Sequence, residues 1–66
     1  MGRYNMRDWL IIIRKKAGMP QYKVAAEVGI SPSYYSAIEL GTRNLRVPTA
    51  KKIAAVLGFE WQRFYE

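Results

Sequence analysis

The sequence predicts an all-α protein, a compact bundle of five short helices. Apolar residues recur at the three-and-four spacing of helices that bury one face, and glycines follow where each pattern ends. The alternation of apolar and polar residues that indicates a strand is not found. Sixty-six residues leave room for one core only, so we expect residues 1–66 to form a single domain.

The first predicted helix runs from about Met6 to Ala17. Asn5 is expected to be its N-cap, and Asp8 lies in the first turn, where the helix dipole favours a negative charge. Gly18 is expected to end the helix. The residues predicted to face the core share helical spacing and are Met6, Trp9, Leu10, Ile13 and Ala17.

Two short helices joined by a tight turn are predicted for the segment from Gln21 to Glu39. Gly29 can take the left-handed conformation that ends the first of them, because it has no Cβ. Ser31 is then the expected N-cap and Pro32 the first residue of the next helix. The residues predicted to share the buried face are Val24, Ala25, Val28, Tyr35 and Ile38. This spacing resembles a DNA-binding helix-turn-helix, with an ordinary helical hairpin as the alternative.

The remaining elements follow from the same signals. The second helix is expected to begin at Pro20 without a side-chain cap, and the third to end near Leu40. The polar, basic segment 41–47 is predicted to be a loop. A fourth helix is predicted from about Pro48 to Leu57, and a short fifth from about 60 to 65. The inward residues of the fourth helix are expected to be Ala50, Ile53, Ala54 and Leu57.

The chain is strongly basic, with 11 Lys and Arg against 5 acids, a net charge of +6 and a pI near 10. Such a charge on a small domain is typical of proteins that bind phosphates. The alternative is a basic protein that uses its charge only to remain monomeric. Membrane-surface binding is disfavoured because the basic residues are scattered over several elements.

Catalysis and cofactors are not expected. The chain has no histidine and no cysteine, which excludes disulfides and the usual zinc sites, and no close pair of carboxylates is evident for acid–base chemistry. The longest apolar run, 9–13, is too short to span a bilayer, and no secretory signal is visible. The expected location is the cytoplasm.

Four motifs occur in order between Leu10 and Phe64: LIIIRKKAG, Q-x-x-V-A-x-x-V-G-I-S, Y-x-x-I-E-x-G-x-R-N and K-I-A-x-V-L-G-F. These four motifs and their order resemble those of the phage-repressor-like helix-turn-helix proteins, also called the Cro/repressor or XRE type. The resemblance implies a lambda-repressor-like DNA-binding domain and a sequence-specific regulator of transcription, a small repressor of the phage or mobile-element kind. It also implies that a recognition helix at about 32–40 lies in the major groove of double-stranded DNA.

The resemblance assigns base contacts to Pro32, Ser33, Ser36 and Ala37, and the nearby Tyr34 is a further candidate for a base contact. This face carries no Gln, Asn or Arg, so it cannot form the two-hydrogen-bond pairings to adenine or guanine that those side chains make. Hydroxyl groups and apolar contacts with thymine methyl groups remain. We therefore expect recognition that depends on DNA shape, water and backbone contacts.

Contacts with the DNA backbone are expected beside this helix. Gln21 begins the second helix, where its side chain and the neighbouring amides can bind a phosphate, and the resemblance assigns the same role to it. The other candidates are Thr42, Arg43 and Asn44 and, more weakly, Tyr22, Lys23 and Arg46. The lysines of the first and fourth helices (Lys15, Lys16, Lys51 and Lys52) are expected to form solvated faces.

Arg14 and Glu39 match positions that form a buried salt bridge in some members of this family. The planar guanidinium group suits a carboxylate, and such a pair would tie the first helix to the end of the recognition helix. The alternative is a solvent-exposed pair that contributes about 0–1 kcal/mol.

A homodimer on a palindromic site is a further possibility, since many members of the family bind DNA in that form. Trp61 and Phe64 could contribute to the dimer surface, although they are better explained as a lid over the core, and Tyr65 fits either role. Ile11 and Ile12 are either covered by the bundle or contact a second subunit. The alternative function is an antitoxin-like or accessory module that uses this fold to bind a protein. No small-molecule ligand is expected.

Overall fold

The computed structural model describes residues 6–66. In this part of the chain, four α-helices and one 3-10 helix pack together, and none of these residues forms a strand. The elements are α1 (Asp8–Lys16), α2 (Gln21–Val28), α3 (Pro32–Leu40), α4 (Val47–Leu57) and the C-terminal 3-10 helix (Trp61–Tyr65). The all-α prediction is confirmed. Within residues 6–66, no helix is long and apolar enough to cross a membrane.

The prediction of five α-helices needs a correction at the C-terminal end. The last element is a 3-10 helix of 5 residues. Its flanking hydrogen bonds span three residues, from Arg63 N–H to the Glu60 carbonyl and from Glu66 N–H to the Arg63 carbonyl. So short a segment does not develop the four-residue hydrogen bonds of an α-helix, and it remains in the tighter form.

The start of the first helix was also predicted too early. The structure has Arg7 as the N-cap of α1, with non-helical dihedrals, and its backbone N–H donates to the Glu39 carbonyl at the end of α3 at 2.8 Å. Asn5, the expected N-cap, lies outside the described residues. Met6 therefore precedes the helix and is 51% exposed, and Ala17 at the other end is exposed as well. The inward stripe of α1 is limited to Trp9, Leu10 and Ile13, all packed in or against the core.

The turn between α2 and α3 is built as the local signals predict. Gly29 takes the left-handed conformation, with φ at 88°, and its N–H donates to the Ala25 carbonyl at 2.8 Å. The Ser31 side chain accepts a hydrogen bond from Tyr34 N–H at 3.0 Å, and Pro32 follows as the first helical residue. At the other end of α2, Pro20 is the N-cap and provides no side-chain hydrogen bond, as expected.

The hydrophobic core is drawn mainly from α2, α3 and α4. Its buried side chains are Leu10, Val24, Ala25, Val28, Tyr35, Ile38, Leu45, Ala50, Ile53, Ala54, Leu57 and Phe64. All the residues predicted to face inward in these three helices are buried. Phe64 packs edge-on against Trp9, with ring centroids 5.3 Å apart. Trp61 is partly buried and packs against the core. The lid interpretation of these two residues is thus consistent with their packing, while Tyr65 is 49% exposed.

A buried ion pair joins three of the helices. Arg14 Nε lies 2.6 Å from Glu39 Oε2, and Arg14 Nη2 lies 3.3 Å from Glu39 Oε1. The side chains are only 11% and 3% exposed. Arg14 also donates to the Met19 carbonyl, and the Gln21 amide donates to Glu39 Oε1 at 2.8 Å. The hydrogen bond to Glu39 raises the pKa of Arg14. The network connects α1, the start of α2 and the end of α3.

Replacing Glu39 with alanine should strongly destabilise the fold, because it leaves the buried Arg14 charge without its partner. Loss of one member of a buried pair costs about 3–5 kcal/mol. In a domain of this size that corresponds to a melting temperature lower by about 12 °C or more, or to no cooperative transition at all. Thermal unfolding followed by circular dichroism measures it. The matched control is Glu27→Ala, which removes a carboxylate from the exposed face of α2. A Glu39→Ala protein that melts within a couple of degrees of wild type would contradict the structural role.

A second buried group lies beside this pair. The Tyr35 hydroxyl forms no hydrogen bond of good geometry with the described residues. Burial raises the pKa of Tyr35, and the nearby Glu39 carboxylate raises it further. The folded chain therefore keeps the Tyr35 proton at pH values where the unfolded chain, with a tyrosine pKa of about 10, has lost it. The contribution to stability is complete below that pKa and declines as the pH rises above it.

The variant Tyr35→Phe should lose this dependence on pH. Above about pH 10, the free energy of unfolding of the wild type should fall more steeply than that of the variant, by up to about 1.4 kcal/mol per pH unit. At neutral pH the variant should be as stable as the wild type or more so, because it lacks a buried hydroxyl that has no hydrogen-bond partner among residues 6–66. Urea titrations at a series of pH values compare the two proteins. Parallel curves above pH 10 would show that the Tyr35 hydroxyl titrates as it does in the unfolded chain.

Candidate nucleic-acid interface

The outward face of α3 carries small side chains. Pro32 and Ser33 are exposed, while Ser36 and Ala37 are partly exposed. These four positions alternate along the helix with Tyr35 and Ile38, which are fully buried. Because an α-helix turns through about 100° per residue, burial of one set directs the other toward solvent. The face therefore offers two hydroxyl groups and two small apolar side chains to a partner.

Tyr34 is oriented differently from its neighbours on α3. Its hydroxyl donates to the Asn44 carbonyl at 3.1 Å, and its ring is partly buried against the core. The guanidinium carbon of Arg43 lies 5.3 Å from the centre of the same ring. The Tyr34 side chain is thus engaged with the segment that follows α3.

That segment, residues 41–46, is named the α3–α4 loop below. It leaves the helix through Gly41, which has φ at 77°, and Thr42 donates to the Ala37 carbonyl from both its N–H and its hydroxyl. The Thr42, Arg43 and Asn44 side chains are exposed. Leu45 turns inward and is buried, and its carbonyl accepts a hydrogen bond from the Tyr65 hydroxyl at 2.6 Å. The loop presents polar and cationic groups directly beside the end of α3.

The start of α2 offers a second polar edge. No side chain caps this helix, so the Gln21 and Tyr22 N–H groups have no hydrogen-bond partner among residues 6–66, and they lie at the positive end of the helix dipole. Tyr22 is 66% exposed, and Lys23 is exposed beside it. Gln21 is partly buried, and its amide nitrogen is used in the hydrogen bond to Glu39. This bond links the candidate phosphate contact to the end of α3.

Arg7 is a residue that the sequence analysis did not single out. Its guanidinium Nη1 donates to the Ile38 carbonyl at 2.6 Å, while its backbone N–H bonds to Glu39, and the guanidinium also lies over the Phe64 ring. A cation at a helix C-terminus satisfies carbonyl groups that the helix itself leaves free. The bond joins residues 31 positions apart, so no local pattern could have indicated it.

The exposed lysines of α1 and α4 lie outside these edges. Lys15 and Lys16 are exposed at the end of α1, and Lys52 is exposed on α4. The Lys51 ammonium lies 5.2 Å from the centre of the Trp61 ring, which gives it a packing partner of its own. Within residues 6–66, no cluster of acidic side chains could hold a metal ion.

Comparison with known proteins gives a consistent result. A family model described as helix-turn-helix matches residues 10–64. The chain is 44% identical over 61 residues to the uncharacterized HTH-type transcriptional regulator YqaF of Bacillus subtilis (strain 168), a match that covers 92% of this chain and 80% of that protein. It is also 38% identical over 45 residues to the control protein C.MunI of Mycoplasma sp, which covers 68% of this chain and 61% of that protein.

Proposed function

The chain belongs to the helix-turn-helix family of transcriptional regulators of the XRE type, and from this premise we propose that it binds double-stranded DNA with α3 in the major groove. One observation carries the proposal. α3 leaves Pro32 and Ser33 exposed, and the polar α3–α4 loop begins directly after it. A helix with small outward side chains can approach the base edges closely, while Arg43 in the flanking loop can contact the phosphates.

We assign base contacts to Pro32, Ser33, Ser36 and Ala37. The two hydroxyl groups can donate or accept hydrogen bonds with any base edge, and the two apolar side chains suit the methyl group of thymine. None of them can form the paired hydrogen bonds that single out guanine or adenine. The preference for a sequence therefore depends largely on the shape of the duplex and on bridging water.

We assign phosphate contacts to two edges that flank α3. The first is the start of α2, with the backbone N–H groups of Gln21 and Tyr22 and the side chains of Gln21, Tyr22 and Lys23. The second is the loop with Thr42, Arg43 and Asn44. Contacts of this kind fix the position and orientation of the helix in the groove without reading sequence.

We propose that two copies bind a palindromic site, because one domain of this size covers little DNA and phosphate contacts alone give weak binding. Binding to an operator as a repressor, in the manner of small regulators of phages and mobile elements, is supported by the family resemblance. The cytoplasm is the compartment that fits such a role.

Two other functions are less well supported. An antitoxin-like or accessory module would use the same fold to bind a protein, but neither named relative favours it. Catalysis is not part of the proposal, since the family acts by binding DNA and the sequence contains no histidine or cysteine.

The first prediction concerns salt. If about six phosphates are contacted per half-site, the logarithm of the affinity for a duplex with one half-site should fall with the logarithm of the salt concentration with a slope of about −5. Arg43→Ala should make this slope shallower by about 1, because one phosphate contact is lost. Lys15→Ala is the matched control and should leave it unchanged, since it removes a cation from the solvated end of α1. Fluorescence anisotropy with labelled duplexes measures the slopes. A wild-type slope near zero would contradict the proposed phosphate contacts.

The second prediction concerns sequence and symmetry. Selection of bound duplexes from a random pool should give a consensus of two inverted half-sites with centres about 10 base pairs apart, one helical turn. Ser33→Ala should change the preference at a single position of each half-site, because it removes one hydroxyl from the exposed face of α3. A pool that converges on no sequence would argue against sequence-specific binding, and a consensus without symmetry would argue against two copies.

A further inference from the structure

We propose that Tyr34 and Tyr65 are positioning residues, which hold the α3–α4 loop in the conformation that presents Thr42, Arg43 and Asn44 to DNA phosphates. This inference rests on the proposed function, and it adds a role that neither residue has in the family resemblance. It also assigns Tyr34 to the placement of the loop and not to the reading of bases.

The main chain of the loop depends on side chains for its conformation. Among residues 6–66, its backbone bonds to the helices only at its two ends. These bonds run from Gly41 and Thr42 back to α3, and from Ala50 N–H of α4 to the Arg46 carbonyl. Within the described part of the chain, the peptide groups between these ends form no hydrogen bond with the backbone of a helix. Their orientation must be set by other contacts, since an unrestrained loop samples many conformations.

Two tyrosine hydroxyls supply these contacts from opposite sides in sequence. Tyr34, ten residues before the acceptor, donates to the Asn44 carbonyl at 3.1 Å. Tyr65, twenty residues after it, donates to the Leu45 carbonyl at 2.6 Å. The two acceptors belong to consecutive peptide groups. Together the bonds fix the planes of both peptides, and thereby the directions in which the neighbouring side chains leave the main chain.

The buried Leu45 side chain explains why both carbonyl bonds are needed. It is 9% exposed and anchors the middle of the loop in the core. An apolar anchor fixes the position of the chain but is non-directional, so the peptide groups on either side could still rotate about it. Hydrogen bonds are directional and remove this freedom.

The Tyr34 ring also contacts the guanidinium group of Arg43. The Arg43 guanidinium carbon lies 5.3 Å from the ring centre, within the range of a cation–π contact. The long arginine side chain can adopt many rotamers, and stacking on a fixed ring removes part of that freedom before DNA binds. A phosphate contact formed by a restrained side chain loses less entropy on binding.

The experiment removes each hydroxyl and keeps the ring. Tyr34→Phe, Tyr65→Phe and the matched control Tyr35→Phe are titrated against the selected duplex and against a scrambled duplex of equal length. Circular dichroism and thermal melting establish that each variant is folded. Tyr65→Phe should weaken binding to both duplexes by the same factor, about 2- to 10-fold, the effect of one hydrogen bond. Tyr34→Phe should act in the same way with a smaller factor, since its bond is longer and more exposed. Tyr35→Phe should bind like the wild type.

A double-mutant measurement tests whether the Tyr65 hydroxyl affects DNA binding through the placement of Arg43 in the loop. The loss caused by Tyr65→Phe should shrink in an Arg43→Ala background, because the contact that the hydroxyl positions is already missing. A tyrosine that only stabilised the fold would give the same loss in both backgrounds. If Tyr65→Phe does not fold, Tyr34→Phe carries the same test from the other side of the loop.

The remaining outcomes separate this inference from the proposed function. If the wild type binds DNA and both tyrosine variants bind the two duplexes with wild-type affinity, the loop needs no such support and the inference is wrong. If Tyr34→Phe changes the preference at one base pair, Tyr34 reads a base and the inference is wrong for that residue. If the wild type binds no duplex under any salt condition, the proposed function itself fails, and this inference fails with it.

Discussion

The buried contact between Arg14 and Glu39 ties the end of α3 to α1 and, through Gln21, to the start of α2. Two charges withdrawn from water lose several kcal/mol of hydration each, and a pair repays this only when its remaining polar atoms are also bonded. Here both carboxylate oxygens accept hydrogen bonds, one of them also from Gln21, and the guanidinium reaches the Met19 carbonyl as well. Three helices consequently share one polar centre, and the start of α2 cannot move independently of the end of α3.

In addition to this polar centre, other contacts restrain the two ends of α3. Ser31 caps its first turn, and Arg7 from the segment before α1 bonds to its last carbonyls. This rigidity fits the chemistry of its outward face. Hydroxyls and small apolar groups reach only a short distance, so the helix backbone itself must be held at the right depth in a groove. A scaffold that fixes both ends of the helix meets that requirement, because little ordering is left to occur on binding.

Local signals in the sequence predict local structure well, and the misses share a cause. Gly29, Ser31 and Pro32 define a turn within a few residues, so the boundary between α2 and α3 follows from their chemistry. Arg7 and Tyr65 act on carbonyls 31 and 20 residues away, where a guanidinium or hydroxyl has no sequence pattern that names its partner. The segment before α1 has the same property, since the backbone N–H of Arg7 bonds to the distant Glu39 carbonyl. The Arg14–Glu39 pair could be anticipated only because a whole family pattern, and no local spacing, suggested it.

The helical period of α3 places the residues that are needed for folding and the residues proposed to contact DNA on different faces of the helix. Tyr35, Ile38 and Glu39 point inward and are needed for the core and the ion pair, whereas Ser33 contacts solvent. Side chains on the outward face can therefore change with little effect on stability, since surface positions away from special contacts usually alter it by less than about 0.5 kcal/mol. Tyr34 lies between the two sets, with its ring against the core and its hydroxyl on the loop. Its position connects the packing of the domain to the placement of its cations, so this residue has less freedom to vary than its outward neighbours.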